Sequence, residues 1–237
     1  MPAVKHPLLL FDIDGTLMLS GGAGMRAMRR AGHVLFGDEF DWDGIETAGS
    51  LDPIIFAAAA AQNRIDDADR HHSAFRAHYL TFLVEELDAG RERIRVMPGV
   101  HDLLGSLRQR VGEHGDLTLG MLTGNYGAAV PPKLATIGVD HGWFSITAFG
   151  DEAPTRPDLV RLALDRFGEE RGTAADPEQV VVIGDTPRDV ACAHAHGCVA
   201  FAVATGYFST EQLAEAGADV VVEDLQDPAP LMSLIDD

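Results

Sequence analysis

Two aspartates one residue apart, Asp12 and Asp14, follow directly on an apolar run at residues 8–11 and lead into Gly15 and Thr16. Other apolar runs end in similar fashion. Residues 117–122 lead into Thr123-Gly124-Asn125, and residues 180–183 lead into Gly184-Asp185-Thr186-Pro187-Arg188-Asp189. Ligands of an open parallel sheet bind outside the carboxyl ends of its strands. Three strand ends would therefore bring four carboxylates and a hydroxyl into one crevice. Gathering that much like charge is unfavourable unless a cation sits among the carboxylates. A ligand set made only of oxygen suits Mg²⁺, which keeps several waters and a substrate phosphate in its shell. A lone Asp-x-Asp is often just a turn former beside a glycine. The coincidence at three strand ends is what favours chemistry.

The elements needed to position these groups are legible as an alternation. Residues 8–11, 117–122, 145–149, 180–183, 199–203 and 220–222 read as strands. Most lack the in-out alternation of a half-exposed strand, which favours a parallel sheet covered on both faces. Helical segments lie between them at 99–111, 157–167, 187–196 and 210–216, giving a doubly wound α/β core. From about residue 20 to residue 95 the rhythm stops, and only helical patterns occur, at 24–36, 53–63 and 67–87. Phe75, Tyr79, Phe82, Leu83 and Leu87 form a stripe at helical spacing, read as packing between helices. The predicted organisation is a core of residues 1–19 and 96–237 with an α-helical insertion at 20–95.

The chain of 237 residues is 46% hydrophobic and 23% charged, which suits one domain with an insert. Its two cysteines are too few for a disulfide framework and read as use in a reducing compartment. No apolar run reaches membrane length, so a cytoplasmic location is expected. With 37 acidic against 18 basic residues the formal net charge is −19, and no strong basic cluster compensates. Nucleic acid and anionic membranes are therefore excluded as partners. A phosphorylated small molecule is not, because exposed charge is screened within about 8 Å in physiological salt.

Taken together, the motifs resemble those of the haloacid dehalogenase-like (HAD) hydrolase superfamily. Asp12-Ile13-Asp14-Gly15-Thr16-Leu17 is similar to that family's first motif, Leu122-Thr123-Gly124-Asn125 to its second and Gly184 to Asp189 to its fourth. The helical insert falls where the family places its C1-type cap over a Rossmann-like core. The pattern most resembles the phosphoglycolate phosphatase-like branch. This resemblance implies a Mg²⁺-dependent phosphatase acting on a small phosphorylated metabolite, a phosphoglycolate-like phosphomonoester, through an aspartyl-phosphate. Asp12 would be the nucleophile and Asp14 the general acid and base. The metal would be held by Asp12, the backbone carbonyl of Asp14 and Asp185. Thr123, Gly124 and Asn125 would hold the phosphoryl oxygens. Thr16 is expected to position Asp14. Asp189 is expected to orient metal-bound water or pair with Arg156 rather than contact the metal. The family's dehalogenases lack an aspartate at the position of Asp14, so Asp14 points to phosphoryl transfer.

The family's third motif is usually a lysine. This chain has only Lys5 and Lys133. Lys5 precedes the first strand, and Lys133 falls on the helix just after motif two, too early for the role. Arg156, ahead of a helix beginning at Pro157, is the predicted substitute, preferred over Arg161 and Arg166. Gly21-Gly22-Ala23-Gly24 lacks the lysine of a phosphate loop and reads as a hinge. The Cys192, His194, His196 and Cys198 run does not converge on a helix and reads as packing rather than zinc. Ser50 and Asp52 either reach substrate from the insert or merely begin a helix at Pro53; His71, His72 and His78 also lie in the insert. Rival functions are a phosphomutase on the same core, a receiver-type signalling domain and a non-catalytic binding protein.

Overall fold

The computed structural model describes residues 6–236. Six strands form one parallel sheet: β1 (Leu8–Phe11), β4 (Thr118–Thr123), β5 (Ile146–Phe149), β6 (Val180–Gly184), β7 (Val199–Val203) and β8 (Val220–Val222). Their spatial order is β5-β4-β1-β6-β7-β8. The chain leaves β1 for β4 and β5 on one side, then returns to β6, β7 and β8 on the other. Strand order therefore reverses beside β1, and a ligand crevice opens at such a reversal. Leu8 pairs with Thr118 and with Val180, and Phe11 with Met121 and with Ile183, so Asp12 leaves the sheet between two longer strands.

Alternate residues along these strands feed two separate cores. Leu9, Phe11, Met121 and Ile183 pack under α4 (Val100–His114), α5 (Val130–Thr136) and the C-terminal α9 (Ala229–Asp236). Leu8, Leu10, Leu122 and Val182 pack under α6 (Arg156–Arg171), α7 (Pro187–His194) and α8 (Thr210–Glu215). Burial on both faces is why the strands read as unbroken apolar runs.

Between β1 and β4 the chain builds α1 (Ala23–Phe36), α2 (Asp52–Gln62) and α3 (Ala68–Ala89). Four residues of the predicted stripe lie where they were expected: Phe75, Tyr79, Leu83 and Leu87 are buried against Ala27, Ala31 and Phe56, with Tyr126 and Ala129 of the sheet unit completing the cluster and Phe82 half-buried at its edge. Two short strands that no apolar pattern announces accompany these helices. β2 (Met18–Leu19) and β3 (Arg95–Val96) pair antiparallel, clamping side by side the two segments that enter and leave the helical unit. Gly21 and Gly22, just beyond β2, adopt left-handed φ of 59° and 81°. Among the described residues no helix is long and apolar enough to cross a membrane.

Candidate active site

The site begins where β1 ends. The Asp12 amide donates to the Ile183 carbonyl at 2.9 Å, which holds this buried residue at the junction of β1 and β6. The turn that follows needs Gly15, whose φ is +88° and where a Cβ would lie 2.2 Å from Asp185 Oδ2. Close approach of backbone to carboxylate thus requires glycine there.

From β6, Asp185 enters the same space, and its Oδ1 is buried without a hydrogen-bond partner. Carboxylate oxygens of Asp12, Asp185 and Asp189 all lie within 4.8 Å of one another. Burial raises Asp185 to about 8, reinforced by the negative charges of Asp189 and Asp12. Burial likewise raises Asp12 to about 6, with the Arg156 guanidinium pulling it back. An orphaned acceptor inside a cluster of desolvated carboxylates is what an oxygen-preferring divalent cation would satisfy, so these residues fit such an ion.

Arg156 is brought to this cluster by the start of α6. Thr155 caps that helix by accepting from the Asp158 amide, and Pro157 suits its first turn. Arg156 is 7% exposed; its guanidinium lies 3.1 Å from Asp12 Oδ2, donates to Asp189 Oδ1, and donates to the Gly49 carbonyl at 3.1 Å. Burial opposes its charge, but the carboxylates of Asp189 and Asp12 outweigh burial and keep it protonated. Asp189 is therefore paired with Arg156, as expected, and it also belongs to the carboxylate cluster. It serves the fold as well, since Asp189 Oδ2 accepts from the Thr186 amide at 3.0 Å in the capping box that starts α7.

At the end of β4, Thr123 Oγ1 accepts from Asn125 Nδ2 at 2.7 Å, and the same amide group donates to Asp14 Oδ2 at 2.8 Å. Two expectations need correction here. Lys133, set aside as too early in the chain, is 3% exposed and donates to Asp14 Oδ2 at 2.6 Å and to Asn125 Oδ1 at 2.5 Å. The helix α5 runs back past the site, so two turns beyond Asn125 a long side chain returns to it. The missed signal was a lysine on the buried stripe Val130, Lys133, Leu134. Thr16 does not position Asp14: its hydroxyl is buried without a hydrogen-bond partner, and Asn125 and Lys133 hold the Asp14 carboxylate instead. That carboxylate accordingly stands outside the three-aspartate cluster. Lys5 lies outside the described residues.

The helical unit reaches into this centre. A Cβ at Gly124 would lie 2.1 Å from the Ser50 carbonyl, and the Asp52 amide donates to the Gly124 carbonyl at 2.7 Å. Arg188 bonds Ser50 Oγ and lies 3.0 Å from Glu46. Asp52 opens α2, and it is buried facing the cavity, where its Oδ2 accepts from the Tyr126 amide at 2.8 Å. Burial raises its carboxyl to about 7, with Lys133 and that amide opposing. His71, His72 and His78 pack instead: His72 bonds the Tyr126 hydroxyl at 2.9 Å, His71 meets the Phe36 ring and His78 stacks on Phe82. Cys192 and Cys198 are buried free thiols, while His194 and His196 bond Asp219 and the Pro157 carbonyl, so these four form no zinc cluster.

A parallel α/β sheet with acidic strand ends and a helical insert closing over them defines a class of hydrolase fold. The chain matches the haloacid dehalogenase-like hydrolase family over residues 6–197 and belongs to it. A phosphoglycolate phosphatase of Salmonella paratyphi A is 27% identical over 150 residues, covering 62% of this chain and 55% of that protein. The phosphoglycolate phosphatase of Escherichia coli K12 matches to the same extent, 27% over 150 residues. The chain thus spans about half the length of these curated relatives, 55%. The fold is shared with the crystal structure of CbbY from Rhodobacter sphaeroides in complex with phosphate. Its TM-score is 0.72 at 20% identity, over 98% of this chain and 100% of that one. A hydrolase from Pseudomonas syringae is similar, with a TM-score of 0.71 at 19% identity over 97% and 99% of the two chains.

Proposed function

We propose that this protein is a Mg²⁺-dependent phosphatase that hydrolyses a small phosphomonoester in two displacements through Asp12. The observation that carries the reading is the meeting of Asp12, Asp185 and Asp189 carboxylates within 4.8 Å, with Arg156 against Asp12 and Asp189.

An oxygen of Asp12 attacks phosphorus, and the ester P–O bond breaks. The departing oxygen takes a proton from the carboxyl of Asp14. Asp14 then removes a proton from water, whose oxygen attacks phosphorus; the aspartyl P–O bond breaks, freeing phosphate and restoring Asp12. Asn125 and Lys133 hold Asp14 in place for both proton transfers. Thr123, Gly124 and Asn125 receive phosphoryl oxygens, and Arg156 steadies Asp12 while adding positive charge. Asp12, Asp185 and the Asp14 carbonyl would hold Mg²⁺, with Asp189 adjacent. When bound there, the ion supplies charge that offsets repulsion between an anionic nucleophile and an anionic phosphate.

We assign residues 1–19 and 96–237 to the catalytic core and 20–95 to a cap, with Gly21 and Gly22 as hinge. A cap closed over the site would exclude bulk water and so strengthen the electrostatic contacts among Asp12, Arg156 and the phosphoryl group. The two buried free thiols accord with a cytoplasmic setting.

The test is phosphate release from 4-nitrophenyl phosphate with Mg²⁺ and with EDTA, in the wild type and in Asp12→Asn. Turnover lost in EDTA and in D12N, with an unchanged circular dichroism spectrum, is expected. Full turnover by D12N would remove Asp12 as nucleophile.

A further inference from the structure

The space left for the alcohol half of the substrate has a definite chemistry. A cavity of about 360 Å³ opens from the aspartate cluster toward the helical unit. Away from Asp12 it is walled by Leu19 of β2, Met25 and Met28 of α1, Ile55 of α2 and Tyr79 of α3. Met28, Ile55 and Tyr79 are 5% exposed or less, so these walls are packed surface rather than exposed rim.

The charges lining this cavity are Asp12, Asp14, Asp52 and Asp185 against Lys133 and Arg156. Both cations are already engaged. Lys133 is held by Asp14 and Asn125, and Arg156 by Asp12, Asp189 and the Gly49 carbonyl. Arg26 of α1 does not line the cavity and is bound to Glu86 and the Gly21 carbonyl, each at 2.7 Å. His72 of α3 is taken by the Tyr126 hydroxyl. The ionisable group on the helical side of the cavity is thus a carboxyl, Asp52, beside the phenol of Tyr79, whose proton burial and the Asp52 charge retain.

Among the described residues lining this space, a substrate carboxylate would meet no cation that lacks a carboxylate partner, and it would face Asp52. A buried, unpaired anion is among the most costly arrangements in a protein. An aliphatic chain gains from the same walls, at about 25 cal/mol per Å² of apolar area removed from water. We propose, resting on the phosphatase reading above, that the substrate is the phosphate monoester of an uncharged, largely aliphatic alcohol, and that carboxylate-bearing esters such as phosphoglycolate are rejected. Asp52 and Tyr79 are the specificity groups, offering hydrogen bonds to a neutral polar substituent and, when Asp52 is ionised, repelling an anionic one.

The experiment compares kcat/KM for n-butyl phosphate and phosphoglycolate with Mg²⁺, using 4-nitrophenyl phosphate as the measure of basic phosphatase activity. The alkyl ester is expected to exceed phosphoglycolate by at least about tenfold. At pH 8, where Asp52 is ionised, the ratio in Asp52→Asn should narrow by about threefold or more through a gain in phosphoglycolate turnover, an effect that simple loosening of the fold would not produce. If phosphoglycolate equals or exceeds the alkyl ester, or if neither is hydrolysed while 4-nitrophenyl phosphate is, the substrate assignment is overturned and the phosphatase reading stands. If no ester at all releases phosphate, both fall together. A ratio in D52N equal to that of the wild type would remove Asp52 from specificity.

Discussion

Lys133 Nζ sits 2.6 Å from Asp14 Oδ2, although the two residues are separated by 119 positions in the chain. With Asn125 it forms a closed triangle, since Nζ also lies 2.5 Å from Asn125 Oδ1 and Asn125 Nδ2 lies 2.8 Å from Asp14 Oδ2. The positive charge of the site is thereby divided. Arg156 serves the nucleophile side, and Lys133 serves the acid and base side.

Replacing Lys133 with methionine keeps volume and apolar packing on α5 but leaves Asp14 held by Asn125 alone. We expect kcat for 4-nitrophenyl phosphate to fall about 10²-fold, the scale of a misplaced general acid. KM should change little, because Lys133 is occupied by protein groups rather than by phosphate. Steady-state kinetics check this; a large rise in KM with kcat preserved would instead assign Lys133 to phosphate binding.

Much of this site is legible in the sequence, for a definite reason. Asp12, Asp185 and Thr123 each sit one step beyond, or at the end of, a strand buried on both faces, so the apolar-to-acidic transition itself marks the crevice. Lys133 is not legible in that way, because its role depends on the direction in which α5 returns across the site. Spacing from Asn125 alone places it on a helix and says nothing of which face the helix turns inward. The contact of Ser50 and Asp52 with Gly124 is a tertiary fact of the same kind. The β2–β3 pair escapes a periodicity argument because each strand has two residues. Thr16 illustrates the opposite failure, where adjacency in a motif suggested a bond that burial of its hydroxyl does not provide.

Arg156 differs from Lys133 in that its two carboxylate partners are both buried. Removing its charge in Arg156→Ala leaves Asp12 and Asp189 facing one another without a cation. Stability should fall by about 3–5 kcal/mol, the usual cost of stripping one partner from a buried ion pair. Arg156→Lys keeps a charge but loses the planar fork that reaches Asp12, Asp189 and the Gly49 carbonyl together, so it should recover part of the stability and little of the activity. Urea denaturation alongside kinetics separates the two. Wild-type kcat and KM in R156A would place the third motif elsewhere in the chain.

Asp52 gives a prediction in which the sign is fixed by direction. Its folded-state carboxyl is raised to about 7, chiefly by burial, from an ordinary value of 3.8. A group raised on folding contributes stability that is fully present below its unfolded value and is lost as pH climbs through the folded one. Between about pH 4 and pH 7, therefore, ionising Asp52 works against the folded state, at up to about 1.4 kcal/mol per pH unit. Asparagine still offers a carbonyl oxygen to the Tyr126 amide and does not ionise. In metal-free buffer, where the other carboxylates are common to both proteins, D52N should gain on the wild type as pH rises from 5 to 7 and hold that advantage at pH 8. Urea midpoints measured across this range test it. Parallel curves for the two proteins would mean that Asp52 ionises in the fold as easily as it does in the unfolded chain.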